Sequence, residues 1–130
     1  HQSPVINGTG DYSRDFTYID NVVQMNIKCA LSENPEAINK VYNVAYGEKT
    51  TLNELLESLR SNLADYDPEI ANVKVIYGPE RVGDIPHSLA SIERASTLVN
   101  YKPNYSIQNG LKEAVRWYFS SSKKTEPINQ

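Results

Sequence analysis

The chain has 130 residues, with 13 Lys and Arg against 16 Asp and Glu and a formal net charge of -3. That length suits one domain, able to bury roughly two thirds of the surface its unfolded form exposes. The charge balance offers no basic excess for nucleic acid, and no apolar run approaches the ~20 residues of a membrane span.

His1-Gln2-Ser3-Pro4 has neither the basic start nor the apolar stretch of a signal peptide, and no initiator methionine precedes it. The start reads as a cut inside a longer protein. Gly8-Thr9-Gly10 imitates the opening of a dinucleotide fingerprint, but Ser13 holds the third glycine position and no strand–helix crossover surrounds it, so a turn is expected. Ser13-Arg14-Asp15-Phe16-Thr17-Tyr18-Ile19-Asp20 follows, a β-like run with Arg14 near its head. Asp20 is the expected N-cap of a helix bearing Val22, Val23, Asn26, Ile27, Ala30 and Leu31, and Ser32-Glu33-Asn34-Pro35 stops it. Cys29 lies on that helix, where a small buried apolar role is expected. As the only cysteine it has no internal partner, which favours a reducing cytoplasm.

Lys40-Val41-Tyr42-Asn43-Val44-Ala45-Tyr46 has the β-branched and aromatic content of a strand, and Gly47 turns the chain. Thr51-Leu52-Asn53-Glu54 is a capping box opening a helix with Leu52, Leu55, Leu56, Leu59 and Leu63 on one stripe. Asp65-Tyr66-Asp67-Pro68 breaks it. Val73-Lys74-Val75-Ile76-Tyr77 alternates as a half-buried strand. A loop holding Arg81 and Gly83 between Pro79 and Pro86 comes next, then helices capped by Ser91 and Ser106. The serine- and lysine-rich end reads as a frayed tail, giving a domain over residues 1–121 and a tail over 122–130. Helices between strands predict an α/β subdomain of few short strands, with a right-handed parallel crossover at least for the central pair.

Two arginines in constrained backbone suggest a fork-shaped site for a diphosphate, because a guanidinium donates bidentately and keeps its charge. For Arg14 the rival is a surface ion pair with Asp15, and for Arg81 a salt bridge to Asp84 that pins its loop. Asp84 otherwise suits a ribose or sugar hydroxyl. His87 follows Pro86 as a further polar group. Neither histidine has a second ligand at zinc-like spacing, so no metal site is expected.

Taken in order, four motifs resemble the extended short-chain dehydrogenase/reductase family of NAD-dependent nucleotide-sugar epimerases and dehydratases, closest to the branch acting on UDP-N-acetylglucosamine in surface-polysaccharide synthesis. They are Asn7-Gly8-Thr9-Gly10 with Ser13 to Asn21; Val41-Tyr42-Asn43-Val44 with Gly47; Arg81-Val82-Gly83-Asp84-Ile85-Pro86-His87-Ser88; and Gly110-Leu111 with Trp117-Tyr118. The resemblance implies that Arg14 and Arg81 hold a UDP diphosphate and that Asp84 contacts the ribose. Val5, Ile6 and Asn7 match the segment along the uracil. Lys49 stands where relatives carry an arginine near the phosphates. Ser88 matches a gate beside the hexose, where a small side chain leaves room for an N-acetyl group.

The family's glycine-rich NAD loop, Tyr-x-x-x-Lys pair and catalytic serine or threonine have no counterpart in this sequence. The resemblance therefore implies the C-terminal, substrate-binding part of a UDP-N-acetylglucosamine 4-epimerase, with no catalytic residue of its own. NAD would be bound by an N-terminal Rossmann domain outside this chain. That missing domain and a UDP-sugar are the implied partners, with a second copy as a candidate and neither nucleic acid nor membrane expected. Rival readings are the same part of a 4,6-dehydratase or decarboxylase, and a non-enzymatic α/β interaction module.

Overall fold

The computed structural model describes residues 1–122. Two small sheets and four helices form an α/β unit. Strand β1 (Val5–Asn7) is followed by β2 (Ser13–Arg14), helix α1 (Ile19–Ala30), β3 (Thr50–Thr51) and α2 (Leu52–Ala64). After these come β4 (Ile76–Gly78), α3 (Glu93–Val99) and α4 (Ile107–Ser122). β1 and β4 pair in parallel, with Val5 opposite Ile76 and Asn7 opposite Gly78. β2 and β3 pair antiparallel, with Arg14 opposite Thr50.

The parallel pairing expected of the chain is present, but between different partners. Residues 40–46 form no strand and join no ladder among the described residues, and the chain bends at Ala45. Their carbonyls are taken instead by side chains: Arg94 donates to Val41 O at 2.9 Å and the Tyr101 hydroxyl to Ala45 O at 3.0 Å. Tyr42 packs on the core, its hydroxyl donating to Ala37 O at 2.8 Å.

Helix α1 begins two residues earlier than predicted. Tyr18 is its N-cap without a side-chain bond, and Asp20 falls in the first turn, where a carboxylate complements the helix dipole. The helix also presents a different face. Asn21 and Met25 are buried, whereas Val23, Ile27 and Leu31 are exposed. Cys29 is exposed too, contrary to the expected buried role: it follows Asn21 and Met25 at four-residue spacing but stands in the last turn of α1, past the buried part of that side.

The α2 capping box forms as read, with Glu54 N donating to Thr51 Oγ1 at 3.1 Å and Thr51 N to the Glu54 carboxylate at 2.7 Å. The Thr51 N–H bond to that carboxylate, and then the Thr51 hydroxyl's, favour its charged form and lower its pKa. Helix α3 takes Ile92 rather than Ser91 as N-cap; the Ser91 hydroxyl only reaches Glu93 N at 3.5 Å, the outer limit of a hydrogen bond. Ser106 does receive the Asn109 N–H, at 3.3 Å, before α4. Helix α4 runs on through Ser122, the first residue of the expected tail, and the Ser120 hydroxyl donates back to Arg116 O at 2.8 Å. The remainder of the expected tail, residues 123–130, lies outside the described residues.

The core gathers Met25, Ala37, Ala95, Val99 and Tyr101, with Tyr42, Val44, Ile92 and Leu98 against it. Polar groups fasten its edge. The Asn21 amide, fully buried, donates to Tyr105 O at 2.8 Å and accepts from Asn104 N and Tyr105 N at 2.9 and 3.0 Å. One side chain thereby joins the start of α1 to the entry of α4. At Gly110 the two segments touch so closely that a Cβ would lie 2.7 Å from that of Tyr18, which only glycine avoids.

Candidate functional site

β1 and β4 run in parallel and end side by side, so the segments leaving them emerge together. Gly8 N donates to Gly78 O at 3.0 Å just past the strands, and beyond β4 the chain enters the loop with Arg81 and Asp84. The carboxyl ends of parallel strands are where α/β sheets place ligands, since diverging connections leave a crevice there. A cleft of about 320 Å³ occupies this place. Val5, Ile6, Asn7, Arg14, Arg81 and Asp84 all line it, as do Tyr12 and Leu52.

Each arginine is oriented by neutral oxygens. Arg81 donates from Nε at 2.8 Å and from Nη2 at 3.1 Å to the Asn7 side-chain oxygen, with that amide turned as its partners require. Arg14 donates from Nη1 to Ser13 O at 2.8 Å and to Pro86 O at 3.4 Å. Neither ion-pair rival is present among the described residues. Asp15 instead accepts from Tyr46 N at 3.1 Å and Gly47 N at 3.0 Å. Asp84 meets Arg81 only through the backbone, its N–H donating to Arg81 O at 3.3 Å. Two permanent positive charges thus border one cleft without a carboxylate bound to either, a disposition that suits an anion with oxygens at both ends.

The Arg81 loop is stitched to β2. Ser13 N donates to Pro86 O at 2.9 Å and Ser88 N to Ser13 O at 3.1 Å, while the Ser13 hydroxyl and His87 Nδ1 are 3.0 Å apart. His87 is thereby engaged by Ser13. Lys49 and Ser88 lie outside the cleft lining, and both are exposed. Lys49 directly precedes Thr50, the ladder partner of Arg14. Ser88 is tied through its backbone to the residue before Arg14.

Tyr12 and Leu52 were not anticipated. Leu52 reads in sequence as the first member of a core stripe. Tyr12 carried a usable signal, because residues two apart on an extended run share a face and Arg14 stands two positions on. Burial, and then the negative charges of Glu80 and Asp84, raise the Tyr12 phenol above its ordinary pKa of 10.0, against an opposing influence from Arg14. It stays a protonated donor at neutral pH. The first amides of α2 also serve this region, Leu52 N donating to Tyr12 O and Asn53 N to Gly10 O, each at 3.1 Å.

Elsewhere His1 Nε2 lies 2.7 Å from Asp67 and Nδ1 3.5 Å from Glu69. Histidine and acids come close enough to share a cation, which their spacing in sequence did not suggest. The group is solvent-facing, the setting in which such charges commonly gather without a metal.

No protein-family model matches the chain. UDP-glucuronate 4-epimerase 4 of Arabidopsis thaliana is 30% identical over 122 residues, covering 85% of this chain and 26% of that protein. UDP-glucose 4-epimerase of Thermotoga maritima, solved with UDP-glucose, superposes with a TM-score of 0.78 at 29% identity, covering 92% of this chain and 36% of its own. UDP-N-acetylglucosamine 4-epimerase of Methanobrevibacter ruminantium, solved with UDP-N-acetylmuramic acid, gives 0.76 at 38% identity, with 92% and 35% covered. Fold and sequence agree on the class, an α/β part of a nucleotide-sugar-modifying enzyme. The chain is homologous to the C-terminal part of the UDP-sugar 4-epimerases of the short-chain dehydrogenase/reductase family. It spans 26% to 37% of the length of these relatives.

A further relative in fold, the UDP-glucuronic acid 4-epimerase of Bacillus cereus, is solved with both UDP-glucuronic acid and NAD. The residues described here do not fit NAD. The turn with Gly8 and Gly10, both at positive φ, leads into Asp11 and β2 and not into a helix, so no helix N-terminus stands behind it to receive a pyrophosphate. No helix among the described residues is long and apolar enough to cross a membrane.

Proposed function

We propose that this chain is the nucleotide-holding part of a UDP-sugar 4-epimerase and that its substrate is a UDP-N-acetylhexosamine. The single observation that carries the reading is the convergence of Arg14 and Arg81, far apart in sequence, on one cleft beyond the ends of β1 and β4. A diphosphate between them would receive donors from both sides, each guanidinium retaining N–H groups beyond those used on Asn7, Ser13 and Pro86. Val5, Ile6 and Asn7 would border the base, and Asp84 would accept from the ribose hydroxyls. Lys49 adds positive charge beside the Arg14 strand, and Ser88 leaves space for the N-acetyl group of the hexose.

These residues supply positioning. Hydride transfer falls to NAD and to residues elsewhere in the full-length protein, a division in which anchoring the nucleotide leaves the sugar free to present either face. The cellular context proposed with it is a cytoplasmic step supplying sugars for a surface polysaccharide.

The test is an assay of the full-length protein with UDP-N-acetylglucosamine, following interconversion with its 4-epimer. Epimerisation that collapses in Arg81→Ala is the expected result, and the 130-residue chain alone should be inactive. Loss of water to a 4-keto-6-deoxy sugar would replace epimerase with dehydratase. Turnover by the isolated chain would overturn the division of roles.

A further inference from the structure

The cleft depends on a short turn, residues 8–11, that joins β1 to β2 and so sets the distance from Asn7 and its partner Arg81 to Tyr12 and Arg14. One residue of α2 grips that turn. Asn53 donates from its backbone to Gly10 O at 3.1 Å and from its side chain to Thr9 O at 3.1 Å and Asp11 Oδ1 at 3.4 Å. Its side-chain oxygen accepts from the Tyr77 hydroxyl at 3.0 Å, reaching into β4, the strand that leads to Arg81. Gly10 is buried with φ at +82°, and a Cβ there would overlap the Asn53 amide, so turn and side chain are fitted to one another.

We infer that Asn53 is a positioning residue for nucleotide binding: it touches no ligand but fixes the spacing between the Arg14 and Arg81 sides of the cleft. The inference rests on the proposed function and goes beyond it, since Asn53 does not line the cleft. Its chemistry is specific. The side chain must give a donor to Thr9 O and an acceptor to Tyr77 at once, which an amide does and a carboxylate of the same shape does not. Asn53→Asp keeps the acceptor, loses the donor and sets a second carboxylate beside Asp11. Tyr77→Phe removes only the bond to β4, since the exposed ring stays and the hydroxyl alone is lost.

The experiment compares UDP with uridine by calorimetry on the full-length protein, because a change of spacing between the arginines bears on the diphosphate and not on the nucleoside. Asn53→Asp should weaken UDP about five- to tenfold, with uridine affinity unchanged, as expected when a hydrogen bond of about 1 kcal/mol is lost and a charged contact is misplaced. Tyr77→Phe should weaken UDP about two- to threefold with the same selectivity. Leu63→Ala, on the far end of α2, is the control for general destabilisation and should leave the UDP-to-uridine ratio alone. Should Asn53→Asp fail to fold, Tyr77→Phe decides. An unchanged ratio in Tyr77→Phe and in any folded Asn53→Asp, alongside loss of UDP binding in Arg81→Ala, overturns the inference and leaves the proposed function standing. Unchanged UDP binding in Arg81→Ala sinks the proposed function itself.

Discussion

Asn21 and Ser88 mark two kinds of residue. Asn21 is wholly buried and satisfies two amides and a carbonyl from residues 104 and 105. Replacing it with Leu keeps the volume but leaves those three groups unpaired in the interior, each costly to strand. Asn21→Leu should destabilise the full-length protein by about 2–4 kcal/mol, read by denaturant unfolding, without changing UDP preference in whatever remains folded. An unfolding midpoint equal to that of wild type would mean that the bonds count for nothing. Ser88 is exposed and bound only through its backbone N–H, so a larger side chain there meets no packed neighbour within this chain. Ser88→Tyr should therefore spare melting temperature and lower kcat/KM for UDP-N-acetylglucosamine relative to UDP-glucose by about one to two orders of magnitude, as overpacking a filled site costs ~1–3 kcal/mol. An unchanged ratio of the two values would remove Ser88 from the sugar site and with it the preference for N-acetylhexosamines.

At the scale of elements, local signals were legible and partnerships were not. The Thr51–Glu54 capping box and the Ser106 cap could be read directly because each is satisfied within a few residues, and the turn at Gly8–Gly10 because its glycines take positive φ. Residues 40–46 have strand composition but no ladder partner among the described residues, and a strand exists only by pairing. Likewise β1, three residues with no period to detect, became a strand because β4 lay beside it. The site divided in the same way. Arg14, Arg81 and Asp84 were legible through motifs, whereas Tyr12, Leu52 and Asn53 acquired their places only when α2 folded against the 8–12 segment. The capping box carries a pH signature. Glu54 is held below its ordinary 4.5, so its contribution is whole above that pH and is lost as pH falls through the lowered folded value. Melting temperature should drop below pH 4.5 more steeply in wild type than in Glu54→Gln, and identical profiles would deny the cap a role.

The whole molecule shows an uneven surface. Ile19, Val23, Ile27 and Leu31 form an exposed stripe along α1 and its C-cap, and Val41 is also 81% exposed. With the relatives extending well beyond the matched part, we propose that this stripe meets the remainder of the full-length protein. The cleft at the ends of β1 and β4 is open as well, and under the proposed function residues of the full-length protein outside this chain would complete it.

The claim on which all of this turns is that Arg14 and Arg81 clasp one diphosphate, and calorimetric titration of UDP into full-length wild type, Arg14→Ala, Arg81→Ala and the double variant tests it most directly. Each single change should weaken binding by roughly 1.5–3 kcal/mol, the magnitude of a hydrogen bond to a charged group. Because both act on one ligand group, the double variant should lose less than the sum of the singles. Uridine affinity should be equal in all four proteins. UDP affinity unchanged by either substitution, or weakened equally for UDP and uridine, would contradict the clasp.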